Sequence, residues 1–175
     1  MAVFYVDSAE LKEKVRDIRA GDEVFLSGTV YTARDAAHKR IKELIENKKP
    51  LPFDMNGAVI YYAGPTPERP GAVIGSCGPT TSSRMDEYVP LFYENGLLAT
   101  IGKGPRSKEA VNALKEHKGI YLCAIGGAGA LAAMSVKKME VIAFEDLGCE
   151  SVKKLTVENF PLICAVDCGG NSIFQ

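Results

Sequence analysis

Three cations stand where helix electrostatics disfavours them. Arg34 and Arg84 fall at the starts of predicted helices, and Lys103 lies in the glycine loop Gly102-Lys103-Gly104, shortly before another. A helix N-terminus already carries positive potential, so an added cation there is unfavourable by ~0.3–1 kcal/mol unless a bound carboxylate or phosphate uses both the side chain and the free backbone N–H groups. Any one of the three is equally well explained as an exposed side chain near a helix end; all three together point to an anion site. The flanking turns support that reading. Gly78-Pro79-Thr80-Thr81 and Gly102-Lys103-Gly104 let backbone approach a ligand closely, and they offer the hydroxyls of Thr80 and Thr81 and the ammonium of Lys103 as donors.

A competing motif lies at Gly127-Ala128-Gly129-Ala130-Leu131-Ala132, a G-x-G-x-x-A run between a predicted strand and a predicted helix, with Glu145 and Asp146 ending a later strand. This is the arrangement of a dinucleotide fingerprint. It normally opens a nucleotide-binding domain, whereas here it comes late in the chain, so the anion site at the three cations is the stronger reading. The cysteines Cys77, Cys123, Cys149, Cys164 and Cys168 include no C-x-x-C pair, and Cys164-x-x-x-Cys168 is isolated. No metal site follows from their spacing. Cys123 and Cys164 are expected in the core, and Cys77 at a buried strand end next to the Gly-Pro-Thr-Thr turn. Neither histidine has a catalytic frame: His38 lies on a helix with an apolar opposite face and His117 at a helix C-terminus.

The elements that must carry these residues alternate. Ser8 is expected to cap a helix with Leu11, Val15 and Ile18 on one face, ended by Gly21. A strand from Glu23 to Val30 then leads through Thr32-Ala33-Arg34-Asp35 into a helix bearing Ala37, Ile41, Leu44 and Ile45. Gly57 to Ala63 and Ala72 to Cys77 read as buried strands, and after Ser83 the spacing of Met85, Val89 and Phe92 is helical until Asn95-Gly96, with Pro90 as a possible kink. Leu97 to Ile101 reads as a strand, Ser107 as the N-cap of a helix closed by Gly119, and Ile120 to Ile125 as a strand. A helix to Met139, a strand from Val141 to Phe144 and two late strands, Leu155 to Val157 and Leu162 to Val166, complete the pattern. Such alternation predicts an α/β fold, a mixed sheet with helices packed against it, in a single domain spanning 1–175.

Composition narrows the functional class. A chain of 175 residues with 46% hydrophobic side chains can bury a core without disulfide or metal support. Its formal net charge of -1, from 21 basic and 22 acidic side chains, provides no field for nucleic acid or an anionic membrane. No apolar run reaches the ~18 residues of a membrane span, and the opening MAVFYVDSAELKEK lacks the pattern of a signal peptide, so a cytoplasmic location with reduced thiols is expected.

At Gly78-Pro79-Thr80-Thr81-Ser82-Ser83-Arg84-Met85-Asp86 the sequence resembles the beta subunit of class I, iron–sulfur-dependent fumarate hydratases and the related tartrate dehydratases. Leu26 to Asp35, Gly102-Lys103-Gly104, Phe144 to Gly148 and Pro161-Leu162 agree in the same order, so the resemblance covers nearly the whole chain. It implies a swivelling β/β/α-type domain and a hetero-oligomeric hydro-lyase in which an alpha subunit holds a [4Fe-4S] cluster through three cysteines. It further implies a small dicarboxylate substrate, fumarate or malate, with L(+)-tartrate as the alternative. Carried over residue by residue, Arg34, Thr81, Arg84 and Lys103 look like the groups that bind the substrate carboxylates. Thr80, with Lys103 beside it, looks like the group that exchanges the carbon-bound proton.

Overall fold

The computed structural model of the chain describes residues 1–124 and 129–174. Its strands are β1 (Val3–Asp7), β2 (Glu23–Thr32), β3 (Val59–Tyr61), β4 (Ala99–Gly102), β5 (Ile120–Ala124), β6 (Val136–Ala143) and β7 (Val152–Val166). Its α-helices are α1 (Leu11–Lys14), α2 (Asp35–Glu46), α3 (Val89–Glu94), α4 (Lys108–Glu116) and α5 (Gly129–Ser135), with 3-10 helices at Ser82–Tyr88 and Glu145–Glu150. The α/β architecture expected from the alternation is the one observed.

Strands β1 to β5 run parallel in that spatial order, and β7 runs antiparallel to β5, β6 and β2. Because β7 pairs with both β5 and β2, the pairings β2-β3-β4-β5-β7 return to β2 and close a circuit, leaving β1 and β6 outside it. Side chains alternate between two apolar clusters, as the pleat requires. Val59, Tyr61, Ala99, Ile101, Ile120 and Leu122 join Val24, Leu26, Leu155 and Leu162 in one. Ile60, Tyr62 and Tyr121 join Ile41 of α2, Phe92 of α3 and Leu114 of α4 in the other. The second cluster fastens these helices to the sheet.

Several elements differ from the expectations. Leu11, Val15 and Ile18 are buried, yet only Leu11–Lys14 is helical, and Ser8 caps nothing. Its hydroxyl instead accepts the N–H of Thr29 at 2.8 Å, tying the loop after β1 to β2. Ala72 to Cys77 is not a strand: Ile74 and Cys77 are buried but Val73 is exposed, and Thr66 satisfies Ser76 through both its backbone and its hydroxyl. The helical stretch at Met85 to Phe92 is a 3-10 helix followed by α3, with Pro90 in the first turn of the latter. There proline fits, because its missing N–H has no intrahelical role. The helix after Gly129 ends at Ser135, and β6 begins at once. The two late strands are one, β7, and β1 had no sequence expectation.

Candidate active site

The loops that leave the parallel strands at their carboxyl ends bring the expected residues together, the usual place for a ligand in such sheets. Beyond β2, the N–H of Ala33 donates to Tyr61 O at 3.1 Å and Arg34 becomes the N-cap residue of α2. Beyond β3, Tyr62 O accepts the N–H of Thr80 at 2.7 Å, so Thr80 returns to the end of β3 after the long 64–78 loop. Beyond β4, Lys103 forms a parallel bridge with Thr81, and its carbonyl accepts the N–H of Ser82 at 3.0 Å. Thr81 and Lys103 are exposed and Thr80 is half-buried.

Arg34 and Arg84 meet at Asp35, the first residue of α2. Arg84 donates from Nε to Asp35 Oδ1 at 2.9 Å and from Nη2 to Oδ2 at 2.8 Å. Arg34 Nε lies 3.7 Å from Asp35 Oδ2. That Nε is buried without a hydrogen-bond partner among the described residues. The Arg34 side chain is 23% exposed against 50% for Arg84, so Arg34 is the deeper of the two. A Cβ on Gly64 would sit 3.2 Å from Arg34 Cδ and Nη1, so glycine leaves room for the guanidinium.

Among the described residues no hydrogen bond joins Lys103 or the threonines to the arginine pair. The link is the 3-10 helix Ser82–Tyr88, which starts against Lys103 and carries Arg84. Two contacts that the sequence did not reveal hold this helix. Arg106, with a fully buried side chain, donates from Nε to Asp86 Oδ1 at 2.6 Å and also reaches Thr100 Oγ1 and Tyr62 Oη, both at 3.2 Å. The other Asp86 oxygen accepts the N–H of Ser107 at 2.6 Å. Tyr121 Oη donates to Gly104 O at 2.8 Å and accepts from the Ser82 hydroxyl at 2.8 Å. A Cβ on Gly102 would fall 1.9 Å from Ser82 Oγ, so only glycine admits this packing.

Behind Arg34, Lys153 is 6% exposed, and its Nζ is surrounded by Cys149 O, Ser151 O and Ser151 Oγ at 3.1, 3.3 and 2.8 Å. Burial lowers its pKa. It stiffens the turn whose Cys149 carbonyl abuts Gly64, next to a cavity of about 480 Å³ lined by Pro65, Ile74, Val141 and Cys149. No sequence signal marked it. His38 is buried, stacked on Phe92, and its Nδ1 donates to Arg34 O at 2.8 Å. Burial pulls its imidazole down to about 4, so it is neutral at pH 7. His117 is the exposed C-cap residue of α4.

Gly127 and Ala128 lie outside the described residues. Gly129 packs closely on the Gly78 turn: a Cβ there would lie 3.1 Å from Gly78 N. Asp146 is engaged by Arg40 in a 3-10 helix and ends no strand.

The family model described as Fumarase C-terminus matches residues 2–175. The chain belongs to this family. Within the fumarase C-terminus family it is 44% identical over 168 residues to Fumarate hydratase 2 of Leishmania major, covering 95% of this chain and 30% of that protein. It is 42% identical over 170 residues to a putative L(+)-tartrate dehydratase subunit beta of Methanocaldococcus jannaschii, covering 94% of this chain and 87% of that one. It is 37% identical over 166 residues to the L(+)-tartrate dehydratase subunit beta of Escherichia coli K12, covering 92% of this chain and 81% of that subunit. The chain therefore spans under a third of the fumarate hydratase and most of each beta subunit.

The cysteines of this fumarase C-terminus chain do not fit a cluster. Cys77, Cys164 and Cys168 are buried, Cys123 is half-buried and Cys149 exposed. Among the described residues no three potential ligands converge. Burial pushes the Cys77 and Cys164 thiols up to about 12, which disfavours the thiolates that bind iron.

Proposed function

We propose that residues 1–175 act as one domain, the beta-type half of a cytoplasmic hetero-oligomeric hydro-lyase that interconverts fumarate and (S)-malate at a site completed by an alpha chain. The observation that supports this reading is that Arg34, Thr80 with Thr81 and Arg84, and Lys103 lie on the loops at the carboxyl ends of β2, β3 and β4 respectively, Lys103 bridged to Thr81 and the two arginines sharing Asp35. Three cations against two carboxylates, Asp35 and Glu150, whose Oε1 accepts the N–H of Ala36 at 3.4 Å, leave the site with a net positive formal charge suited to an anionic ligand. In this reading the [4Fe-4S] cluster belongs to the partner, and the present chain supplies carboxylate binding and proton handling.

Removing a proton beside a carboxylate builds negative charge onto that carboxylate. Fixed cations around it stabilise the transition state more than the bound ground state. Arg34 and Arg84 are the fixed cations, because folding has already placed them. Thr80 is the proton-exchanging group: its backbone is pinned to Tyr62 O, and Lys103, bridged to the neighbouring Thr81, supplies the positive charge that makes an alkoxide accessible.

Dehydration of L(+)-tartrate is the second reading, favoured because two relatives of which this chain covers 87% and 81% carry that name. Co-expression with a candidate alpha chain bearing three cluster-binding cysteines, followed by anaerobic assay of fumarate hydration and tartrate dehydration, tests both. The expected result is that each chain alone is inactive and the pair hydrates fumarate. Tartrate as the preferred substrate selects the second reading, and inactivity of the iron-loaded pair on both overturns the proposal.

A further inference from the structure

Arg84 has two chelating edges, and Asp35 holds one of them. Its Nε and Nη2 each donate to a different Asp35 oxygen, at 2.9 and 2.8 Å, the fork-to-fork geometry that fixes a guanidinium in plane and in direction. The donors that remain, on Nη1 and the far side of Nη2, form a second fork. Among the described residues Nη1 has no acceptor, although the side chain is half-exposed. Asp35 itself is the first residue of α2, where a carboxylate is favoured by the helix N-terminus, and its Oδ2 is also the nearest anion to the buried, unpartnered Arg34 Nε.

We propose that Asp35 is a positioning residue: it freezes Arg84 on one edge so that the opposite edge is presented, already oriented, to a ligand carboxylate. The inference rests on the hydro-lyase reading for the identity of that ligand and on the geometry alone for the pinning. An unpinned surface arginine samples many rotamers and must be ordered at each binding event, whereas a pinned one binds with that ordering complete. One carboxylate spread over two arginines also keeps the guanidinium groups from repelling one another apart.

Two measurements test this. In the free chain, the Arg84 Nε–H is observed by NMR. It is expected to exchange slowly with solvent in the native protein and rapidly in Asp35→Asn, whose amide oxygen replaces only one acceptor. Backbone amides of α2 and β2 should retain their protection. In the two-chain enzyme, Asp35→Asn is expected to raise KM ten- to a hundredfold with a smaller change in kcat. Adding it to Arg84→Met should change kcat/KM no further, because both remove the same oriented edge. Effects that simply multiply in the double variant, or an Arg84 Nε–H that exchanges equally fast with and without Asp35, overturn the inference. Failure of the hydro-lyase reading looks different: the unmodified pair is then inactive on both diacids, while the NMR result stands.

Discussion

In the proposed site, Thr80 and Arg34 have different tasks. Arg34 keeps a guanidinium below the surface, its backbone carbonyl accepting from both the N–H and Nδ1 of His38. If Arg34 holds a substrate carboxylate as proposed, Arg34→Met removes a charge-assisted contact worth ~1.5–3 kcal/mol, so KM in the two-chain enzyme is expected to rise by roughly tenfold to a hundredfold, with a kcat loss if the contact tightens in the transition state. Thr80→Val keeps the shape and the bond from its N–H to Tyr62 O but deletes the hydroxyl. If that hydroxyl relays the proton, kcat falls by ~10²–10⁴ with little change in KM, and solvent hydrogen exchange into malate slows in parallel. Steady-state kinetics and exchange measured on the same preparation separate the two. Normal kcat and exchange in Thr80→Val would move proton transfer to the partner chain. At this scale the sequence marks the positions of Arg34 and Arg84, because a positive side chain at a helix start breaks an electrostatic rule visible locally. Asp35, Asp86, Arg106 and Lys153 break no local rule. Their meaning comes from partners brought near by folding, such as Arg84 to Asp35 across 49 positions.

The element on which the site depends is the 3-10 helix Ser82–Tyr88, clamped by Asp86 to Arg106 and Ser107. Asp86→Ala strands a guanidinium whose side chain is 0% exposed, and breaking one partner of a buried pair costs about 3–5 kcal/mol. Ser107→Ala removes a cap in which Oγ accepts the N–H of Ala110 at 3.2 Å; such caps contribute about 0.5–2 kcal/mol. Urea unfolding should rank the two variants in that order, and equal losses would mean that Arg106 finds another partner. Sequence periodicity located β2, α2, α4 with its Ser107 cap, and β5, where period and punctuation agree. It split β7 because Glu158-Asn159 and Pro161 look like a turn. In the fold, Asn159 adopts a left-handed φ of 49°, its N–H donates to Ser27 Oγ, and the chain crosses the irregularity without leaving the sheet. Edge strand β1 is hidden in the sequence because Val3-Phe4-Tyr5-Val6 is apolar throughout and shows no polar alternation, although burial does alternate, with Val3 and Tyr5 exposed. The sequence extends the helix after Gly129 too far because Ala132, Val136 and Met139 keep helical spacing past Ser135, whereas β-branched Val136 already pairs with Val157.

For the whole molecule, β7 closes the strand circuit and the helices are fastened to the sheet by the cluster that encloses His38, so protonation of this residue is felt as global stability. His38 has a usual value of 6.5 and is pulled to about 4, first by burial and also by the Arg106 charge, against the opposing influence of the Arg34 carbonyl and Asp35. Between those values the unfolded chain binds a proton that the folded one refuses, so stability rises with pH across the window. The contribution is complete above about pH 6.5 and lost as pH falls toward 4. At 1.36 kcal/mol per unit it amounts to roughly 3 kcal/mol. Asp22 acts lower down: backbone N–H groups of Ala2 and Arg19 hold its carboxyl below the usual range of 3.8, so its stabilisation disappears only at more acid pH. With a formal net charge of -1, long-range repulsion is small near neutrality, and the first acid loss belongs mainly to His38. Urea midpoints measured from pH 7 to pH 4 should therefore fall steeply for the native chain and much less for His38→Gln, whatever the offset at pH 7. Parallel curves for the two proteins would show that His38 titrates normally in the fold, and that the packing of Tyr62, Tyr88 and Phe92 around it admits the charged ring.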